Sequence, residues 1–592
     1  MHPRMLEVFS GTIIDNYSRR RNSHIWVESF GAGRMTIWES FSRNPSAIPP
    51  LFISVNLYVL LSAYTTDRSI NIRMLDTSWI NSNLFRRWKR GCDSRQKRDC
   101  KMGPATGRLA PARPAWLIDT WRLCLVPGAV NAPYVALSYV WGKHRFFKTL
   151  KNNIAQLQND QAFSDCYNRL GVPRTIADAI SVVGLLAERY LWVDALCIVQ
   201  DDESTRHDQL NNMASIFASA TVTIIAQQGS DANYGLRGLR GISQTRNLPQ
   251  ETFTLAKGYQ VAQRRSGSDV PCVWSHRGWT YQEEIFSKRT LVFAADMVEW
   301  RCGCCSCFEG LQQSKSYRNQ SGLNSLSSLF SSPVPDLVGY GRLVLDYNAR
   351  ELTHPEDVLA AFAGITTALS QTFYGGFICG LPSLFFDIAL CWEPYSTCQR
   401  RVPSCASNAT LAGLPSWSWA GWKGHIITSL WAGCDYIKSS RPARPCIYSV
   451  RIILSVQWYC RPWGAKESRL IQGPKEMQAL RALAQEDQKN LPRGWMRFEY
   501  NSKYDTRLGF KPSWESQTPP CYYYKHESIP TTEFWYPIPL CEGSQPPPPR
   551  HPERLINCHT QKTWLYVTNC VISRYRPAYS LCDAEGAGSG YS

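Results

Sequence analysis

The side chains with chemistry to offer gather around one stretch, Arg189 to Ala226. It opens Arg-Tyr-Leu-Trp-Val-Asp-Ala-Leu-Cys-Ile-Val-Gln-Asp-Asp, passes a polar turn and a helical segment, and closes on Thr-Val-Thr-Ile-Ile-Ala. Asp194, Gln200, Asp201 and Asp202 are its chemistry-bearing residues, and their value depends on what places them. Tyr190 to Val193 and Thr221 to Ala226 are short β-branched or aromatic runs, the pattern of strands buried on both faces. Leu210, Met213, Ala214 and Phe217 repeat at i, i+3, i+4 and i+7, which puts one apolar stripe on a helix between them. A strand, helix, strand unit with so short a crossover predicts two parallel strands in one sheet. Asp194 and Asp201 then fall at, or just past, the carboxyl end of the first strand, where open α/β sheets place ligand crevices. A carboxylate there serves either a ligand or the capping of its own loop.

The flanking elements supply further candidates. Tyr134 to Leu137 reads as a strand, and Ser138 to Gly142 as the turn leaving its carboxyl end, with Gly142 allowing tight backbone. Ser138 is either a phosphate-contacting hydroxyl or a turn residue; Trp141 stacks on a base or packs. In Pro173-Arg-Thr-Ile-Ala-Asp-Ala-Ile, Thr175 is a suitable N-cap with Asp178 in the capping-box position, and Ile176, Ile180, Val183 and Ala187 define the buried face. Residues 227–274 form a glycine- and arginine-bearing insertion whose Gly235-Leu-Arg-Gly-Leu-Arg-Gly lacks the strand-to-helix setting of a dinucleotide fingerprint, so it reads as a loop. Arg277-Gly-Trp-Thr-Tyr-Gln-Glu-Glu starts another helix and Leu291-Val-Phe another strand. Cys302, Cys304, Cys305 and Cys307 lack the separated pairs of usual zinc sites, so a structural thiol cluster is expected and no metal site.

At 592 residues the chain is too long for one core. A hydrophobic content of 44% with 12% aromatics excludes a disordered chain. The net charge of +18 raises the question of nucleic acid. Much of the excess sits between Arg86 and Lys101, which reads as a solvated basic linker, and no nucleic-acid motif accompanies it. The 22 cysteines are scattered, with Cys197, Cys379 and Cys391 inside apolar runs, as suits buried reduced thiols of an intracellular, cytoplasmic protein. The first forty residues contain no secretory h-region, and Leu51 to Tyr64 is short of the ~20 residues a spanning helix needs, so a buried element and no transmembrane segment are expected.

Residues 1–105 are expected to be an extension of unknown role. Residues 106–310, with a core at 134–290, form the α/β unit, and 311–425 an associated region. In that region Pro355 to Leu369 reads as a helix and Pro415-Ser-Trp-Ser-Trp-Ala-Gly-Trp as a strand. Residues 426–582 read as mostly β, with strands at Tyr448 to Trp458 and Trp564 to Ser573, one helix near Glu476 to Gln485 and a loop at Pro546 to Pro549; 583–592 read as an unstructured tail.

Several of these motifs agree in order and spacing with a known family. Tyr-Val-Ala-Leu-Ser-Tyr-Val-Trp-Gly (134–142), the Pro-x-Thr-Ile-x-Asp-Ala-Ile helix (173–180), Tyr-Leu-Trp-Val-Asp-Ala-Leu-Cys-Ile-x-Gln-Asp-Asp (190–202), Met-x-x-Ile-Phe-x-x-Ala-x-x-Thr-Ile-x-Ala (213–226) and Arg-Gly-Trp-Thr-x-Gln-Glu (277–283) resemble the heterokaryon incompatibility (HET) domain of filamentous fungi. Tyr-Asn-Ala-Arg-Glu-Leu-Thr (347–353) and Pro-Ser-Trp-Ser-Trp-Ala (415–420) resemble the region that follows it. Val140 departs from the family, which often has a cysteine or small polar residue there.

The resemblance implies a non-self recognition factor that triggers programmed cell death when unlike hyphae fuse, acting through self-association and an incompatibility partner protein. HET domains also resemble Toll/interleukin-1 receptor (TIR) domains, which implies a flavodoxin/TIR-like parallel sheet flanked by helices, followed here by an α+β or mostly β C-terminal region. Some TIR domains cleave NAD, with a glutamate four residues after a tryptophan on the helix after the third strand. Trp279 and Glu283 have that spacing and would share a helical face. On this reading Glu283 is the catalytic candidate, and Ser138, Trp141, Gly142, Asp194, Asp201 and Trp279 are the binding candidates; no cofactor is required, and NAD is a substrate. The other role for Glu283 is a helix acid paired with Arg277 or Arg289. Whether the chain is an enzyme or a non-catalytic adaptor stays open.

Overall fold

The computed structural model describes residues 23–30, 34–41, 51–59, 74–94, 107–128, 132–143, 146–254, 260–265, 272–294, 296–303, 305–310, 323–404, 414–429, 431, 437–439, 457–462, 466–471, 491–500, 521–534, 538, 553–559, 566–572, 577–582 and 588–591. Around residues 189–226 lie α1 (Asn83–Ser94), β1 (Trp116–Asp119), β2 (Cys124–Pro127), β3 (Tyr134–Ser138), α2 (Arg174–Leu185) and β4 (Tyr190–Trp192). There follow α3 (Glu203–Asn211), α4 (Met213–Ser219), β5 (Val222–Ala226), α5 (Gly278–Phe286), β6 (Arg289–Ala294), β7 (Met297–Cys302) and β8 (Cys305–Phe308).

The eight strands form one sheet in the order β8-β7-β6-β5-β3-β4-β1-β2. The pairs β6/β5, β5/β3 and β3/β4 are parallel, and an antiparallel pair of strands closes each edge. Taken in chain order, the four parallel strands lie 2-1-3-4, so the winding reverses between β3 and β5. Carboxyl ends at such a reversal leave a crevice that side chains or ligands must fill. Every residue of β3 and β5 is buried, which is why both strands are apolar without alternation.

The expected helix between β4 and β5 is two: α3 ends and α4 begins at Asn212, and the apolar stripe is carried chiefly by Met213, Ala214 and Phe217 on α4. The capping box expected on α2 is absent. Pro173 is its N-cap; Thr175 Oγ1 instead accepts the Gly235 N–H at 3.1 Å and Asp178 Oδ2 the Leu236 N–H at 2.8 Å. These two side chains anchor the insertion, and a Cβ on Gly235, whose φ is +82°, would come within 2.8 Å of Asp178. Most of the described part of the insertion is loop, as read, but Gln250–Thr254 and Gln260–Arg265 pair as antiparallel strands. That pair extends an antiparallel sheet made by Ser23–Phe30, Arg34–Phe41 and Leu51–Val59, so the apolar run after Pro50 contains a strand.

A second core lies beyond the sheet. It is built by α6 (Leu337–Asn348), α7 (Ala363–Leu369) and the aromatic residues Tyr340, Tyr347, Phe362, Phe373 and Trp419. Here Pro355 to Phe362 forms two 3-10 segments before α7. Pro415 to Gly421 is no strand but a turn into a 3-10 segment, and only Trp422 opens a short strand, paired with Arg400: Ser418 caps the 3-10 segment, and the Trp419 indole N–H donates to Gly380 O at 3.1 Å. The helix α5 belongs to both cores, with Tyr281, Ile285 and Phe286 in the second. After residue 437 the described elements are strands in antiparallel pairs, Gln457–Pro462, Tyr566–Ile572 and Gly588–Tyr591 among them. The helix and loop expected at 476–485 and 546–549 lie outside the described residues. Cys197 and Cys379 are buried; Cys391 is exposed. Among the described residues no helix is long and apolar enough to cross a membrane, and no group of three or more His, Cys, Asp or Glu side chains could hold a metal ion.

Candidate functional site

Ser138 is the last residue of β3, and its hydroxyl does two things. It donates to Glu283 Oε2 and accepts the Trp274 indole N–H at 2.8 Å. All three residues are buried. Glu283 therefore stands at the carboxyl end of the sheet, carried there by α5. The start of that helix is held by a short bridge: Gly278 N–H donates to Glu351 O at 2.7 Å, and Glu351 N–H to His276 O at 2.5 Å. A Cβ on Gly278 would lie 2.5 Å from Leu352 Cδ2, which explains a glycine at this position. At the other end the Ser287 hydroxyl donates to Glu283 O and meets Thr223 of β5, both at 2.6 Å.

Asp194 follows the neighbouring strand β4, two residues past its end, as the first residue of a short helical turn. One carboxylate oxygen accepts the Trp141 indole N–H at 2.8 Å, the other its own turn's Ala195 N–H at 2.7 Å. Lys148 sits over the Trp141 ring with Nζ 4.3 Å from its centroid, a cation–π contact. Arg277 donates to Tyr139 O at 2.7 Å. Its guanidinium acts on both carboxyl groups through space. The Tyr139 hydroxyl is buried with no well-formed hydrogen bond.

Burial dominates the electrostatics. It pushes Glu283 up to about 7; the Asp194 charge adds to the rise, while the Ser138 hydroxyl and Arg277 oppose it. Asp194 is also raised by burial, against the N–H donors of Trp141 and Ala195 and the charge of Arg277. Burial and the Asp194 charge together hold the Tyr139 phenol in its neutral form. Glu283 forms no ion pair with Arg277 or Arg289: Arg289 pairs with Asp93 of α1 at 2.8 Å. A carboxyl poised near neutrality beside a second acid, hydrogen-bonded by the Ser138 hydroxyl, can exchange a proton or, once ionised, face a developing positive charge.

Of the residues singled out in the sequence, Ser138, Trp141, Asp194 and Glu283 come together at the strand ends. Gly142 backs the group: its φ is +81°, and a Cβ would lie 2.5 Å from Asp231 Cβ. Asp201 does not join them; it is exposed and accepts the Lys151 N–H at 2.8 Å, a loop contact. Trp279 is half-buried, packs into both cores beside Asp357 and takes no part in the Ser138 network. Trp274 and Tyr139 are the members that residue type and spacing did not single out, and Arg277 entered only as an ion-pair partner. Trp274 lies at the end of the insertion, where no periodicity marks it.

Residues 134–283, about a quarter of the chain, match the family model Heterokaryon incompatibility protein (HET). The chain carries a HET domain. The match starts at Tyr134, the first residue of β3, and ends at Glu283. The HET domain thus holds the parallel strands β3, β4 and β5 and all the residues of the Ser138 network, whereas β6 to β8 and most of the second core, Ala214 and Tyr281 apart, lie beyond it. No curated protein and no solved structure matches the chain.

Proposed function

We propose that this chain is a heterokaryon incompatibility factor whose HET domain triggers cell death by cleaving the nicotinamide–ribose bond of NAD, with Glu283 as the acting carboxylate. The observation that carries this reading is the seat of Glu283: the carboxyl end of β3, free of ion pairs, on a hydroxyl and poised near neutral pH. The 2-1-3-4 strand order, which is that of doubly wound nucleotide-binding folds such as flavodoxin, supports it. Cleavage passes through an oxocarbenium-like state, as in glycoside hydrolysis. Nicotinamide leaves as a neutral base from a cationic precursor, so no general acid is needed. The ionised Glu283 would orient a ribose hydroxyl and stabilise the developing charge, with Asp194 as a second negative group nearby.

A second reading is a non-catalytic adaptor of the same fold that kills through self-assembly and a partner protein. The burial of Glu283 at 6% exposure favours it, since a substrate must displace what covers the carboxyl. Incubation of the full chain with NAD decides between them. Nicotinamide release that Glu283→Gln abolishes, together with lost toxicity on expression, supports the enzyme. Full toxicity of the variant, with no turnover by either protein, establishes the adaptor.

A further inference from the structure

Away from the Ser138 network, three sulfurs meet at the edge of the sheet. Cys302 ends β7, Cys305 opens β8, and the two are register partners across the hairpin with Sγ atoms 3.5 Å apart. Cys307 lies two residues further on, on the same face of β8, with its sulfur 3.7 Å from that of Cys305. Cys302 and Cys305 are 4% and 7% exposed, whereas Cys307 is only half-buried. We propose that Cys302, Cys305 and Cys307 form a thiol relay, in which a hydroperoxide oxidises Cys307 and the oxidation comes to rest as a Cys302–Cys305 disulfide across the hairpin.

The backbone already suits that bond. Antiparallel register partners have Cα atoms about 4.5–5.5 Å apart, inside the range of about 4.4–6.8 Å that disulfides span. Side-chain rotation can then bring the sulfurs together. Residues two apart on one strand are about 6.6–6.8 Å apart at Cα, at the limit of that range, so a Cys305–Cys307 bond serves as the intermediate.

The steps balance. The Cys307 thiolate attacks the peroxide, the O–O bond breaks, and Cys307 becomes a sulfenic acid as hydroxide leaves. The Cys305 sulfur attacks the Cys307 sulfur, and the hydroxyl departs as water with the Cys305 proton. Cys302 then attacks Cys305 and releases Cys307 as a thiol, which keeps the proton Cys302 gives up. In sum, two thiols and one hydrogen peroxide yield one disulfide and two waters. Contacts with the Cys302 and Cys307 sulfurs, with burial added, keep the Cys305 proton on. Its greater exposure makes Cys307 the entry point, and Cys305 gives up its proton only as the hydroxyl leaves Cys307.

The test uses the full chain with Cys304→Ser, so that three thiols remain in the tryptic peptide 302–315. After hydrogen peroxide, the peptide is expected to lose two hydrogen atoms, regain them with dithiothreitol, and leave only Cys307 open to alkylation. Adding Cys307→Ser should slow bond formation about tenfold by forcing peroxide onto buried thiols. Adding Cys305→Ser should abolish the bond. A peptide that never loses the two hydrogen atoms and instead gains oxygen as its thiols go to sulfinic acid overturns the proposal, as does a bond that forms equally fast without Cys305. The parent protein's own peptide map decides the matter even where a variant folds poorly.

Discussion

Ser138, at the end of β3, gives its one hydroxyl proton to Glu283 on α5 and takes the Trp274 indole N–H in return. The hydroxyl cannot turn away without losing both partners, so it fixes one carboxyl oxygen and favours the ionised form of Glu283. Burial outweighs it, and Glu283 sits at about 7 against an ordinary value of 4.5. In the folded state Glu283 therefore binds more proton than in the unfolded chain between those two values. Its contribution to stability is complete below pH 4.5 and is lost as pH rises through 7, about 3 kcal/mol in all at most. Glu283→Gln, which cannot titrate, should lack this loss. The difference in unfolding free energy between parent and variant, measured by urea from about pH 5 to about pH 8.5, should shift in favour of the variant as pH rises. A constant difference across that range sinks the argument.

Removing the hydroxyl should move Glu283 further. A hydrogen bond to a charged group contributes about 1.5–3 kcal/mol, so Ser138→Ala should raise the Glu283 midpoint by about one unit. The same displacement should appear in the alkaline-rising limb of nicotinamide release. Trp274→Phe, which leaves the hydroxyl in place, should shift it less. A midpoint that Ser138→Ala leaves in place, or lowers, would show that the hydroxyl does not stabilise the anion.

Gly278 and Leu352 form a coupled pair. An added Cβ meets the far end of a flexible side chain at 2.5 Å, so Gly278→Ala should cost about 1–2 kcal/mol rather than prevent folding. Leu352→Ala makes room, so the double variant should be more stable than the sum of the two losses predicts, by at least about 0.5 kcal/mol. Strict additivity in urea unfolding would show that the helix start yields some other way.

How much of this was legible follows from which forces act locally. The buried strands Tyr190–Trp192 and Val222–Ala226 show in unbroken apolar runs, and the position of Asp194 at a strand end follows from them. The Ser138 hydroxyl and the Glu283 carboxyl are 145 residues apart, and only the resemblance to a family put them in one site. Thr175 and Asp178 fit a capping box by type; a tertiary partner, the backbone at Gly235 and Leu236, competed for the same oxygens and won. The alternation of Trp417 and Trp419 with small residues imitated a strand because both indoles pack on the second core from a turn whose backbone is satisfied by Ser418.

Arg246 and Glu309 make a buried ion pair with two short contacts, 2.6 and 2.9 Å, with 0% and 3% of their side chains exposed. Arg246 also donates to Trp79 O at 3.0 Å and Asp296 O at 2.8 Å, which ties the segment before α1 to the sheet. Glu309→Ala leaves a buried charge with carbonyl partners alone and should cost about 3–5 kcal/mol. Replacing both residues with leucine removes the charges together and should be less costly than Glu309→Ala. If the single variant unfolds at the parent's urea midpoint, the pair is not buried in solution.

The last expectation concerns how far the folded unit runs past the HET match. Tyr281, Ile285 and Phe286 of α5 are covered by Tyr347, Phe362, Phe330 and their neighbours, not by the sheet. Ending the chain after residue 310 would bare all three. At about 1.5–3 kcal/mol for each large apolar side chain, the loss is comparable with the ~5–15 kcal/mol that holds a domain folded. Gly278 would also lose Glu351, so the start of the helix that carries Glu283 would be released at the same time. A chain ending at 310 should therefore bind an apolar dye and unfold without a cooperative transition, whereas one ending at 431 should unfold cooperatively. Equal midpoints for the two would show that the HET domain holds Glu283 in place by itself.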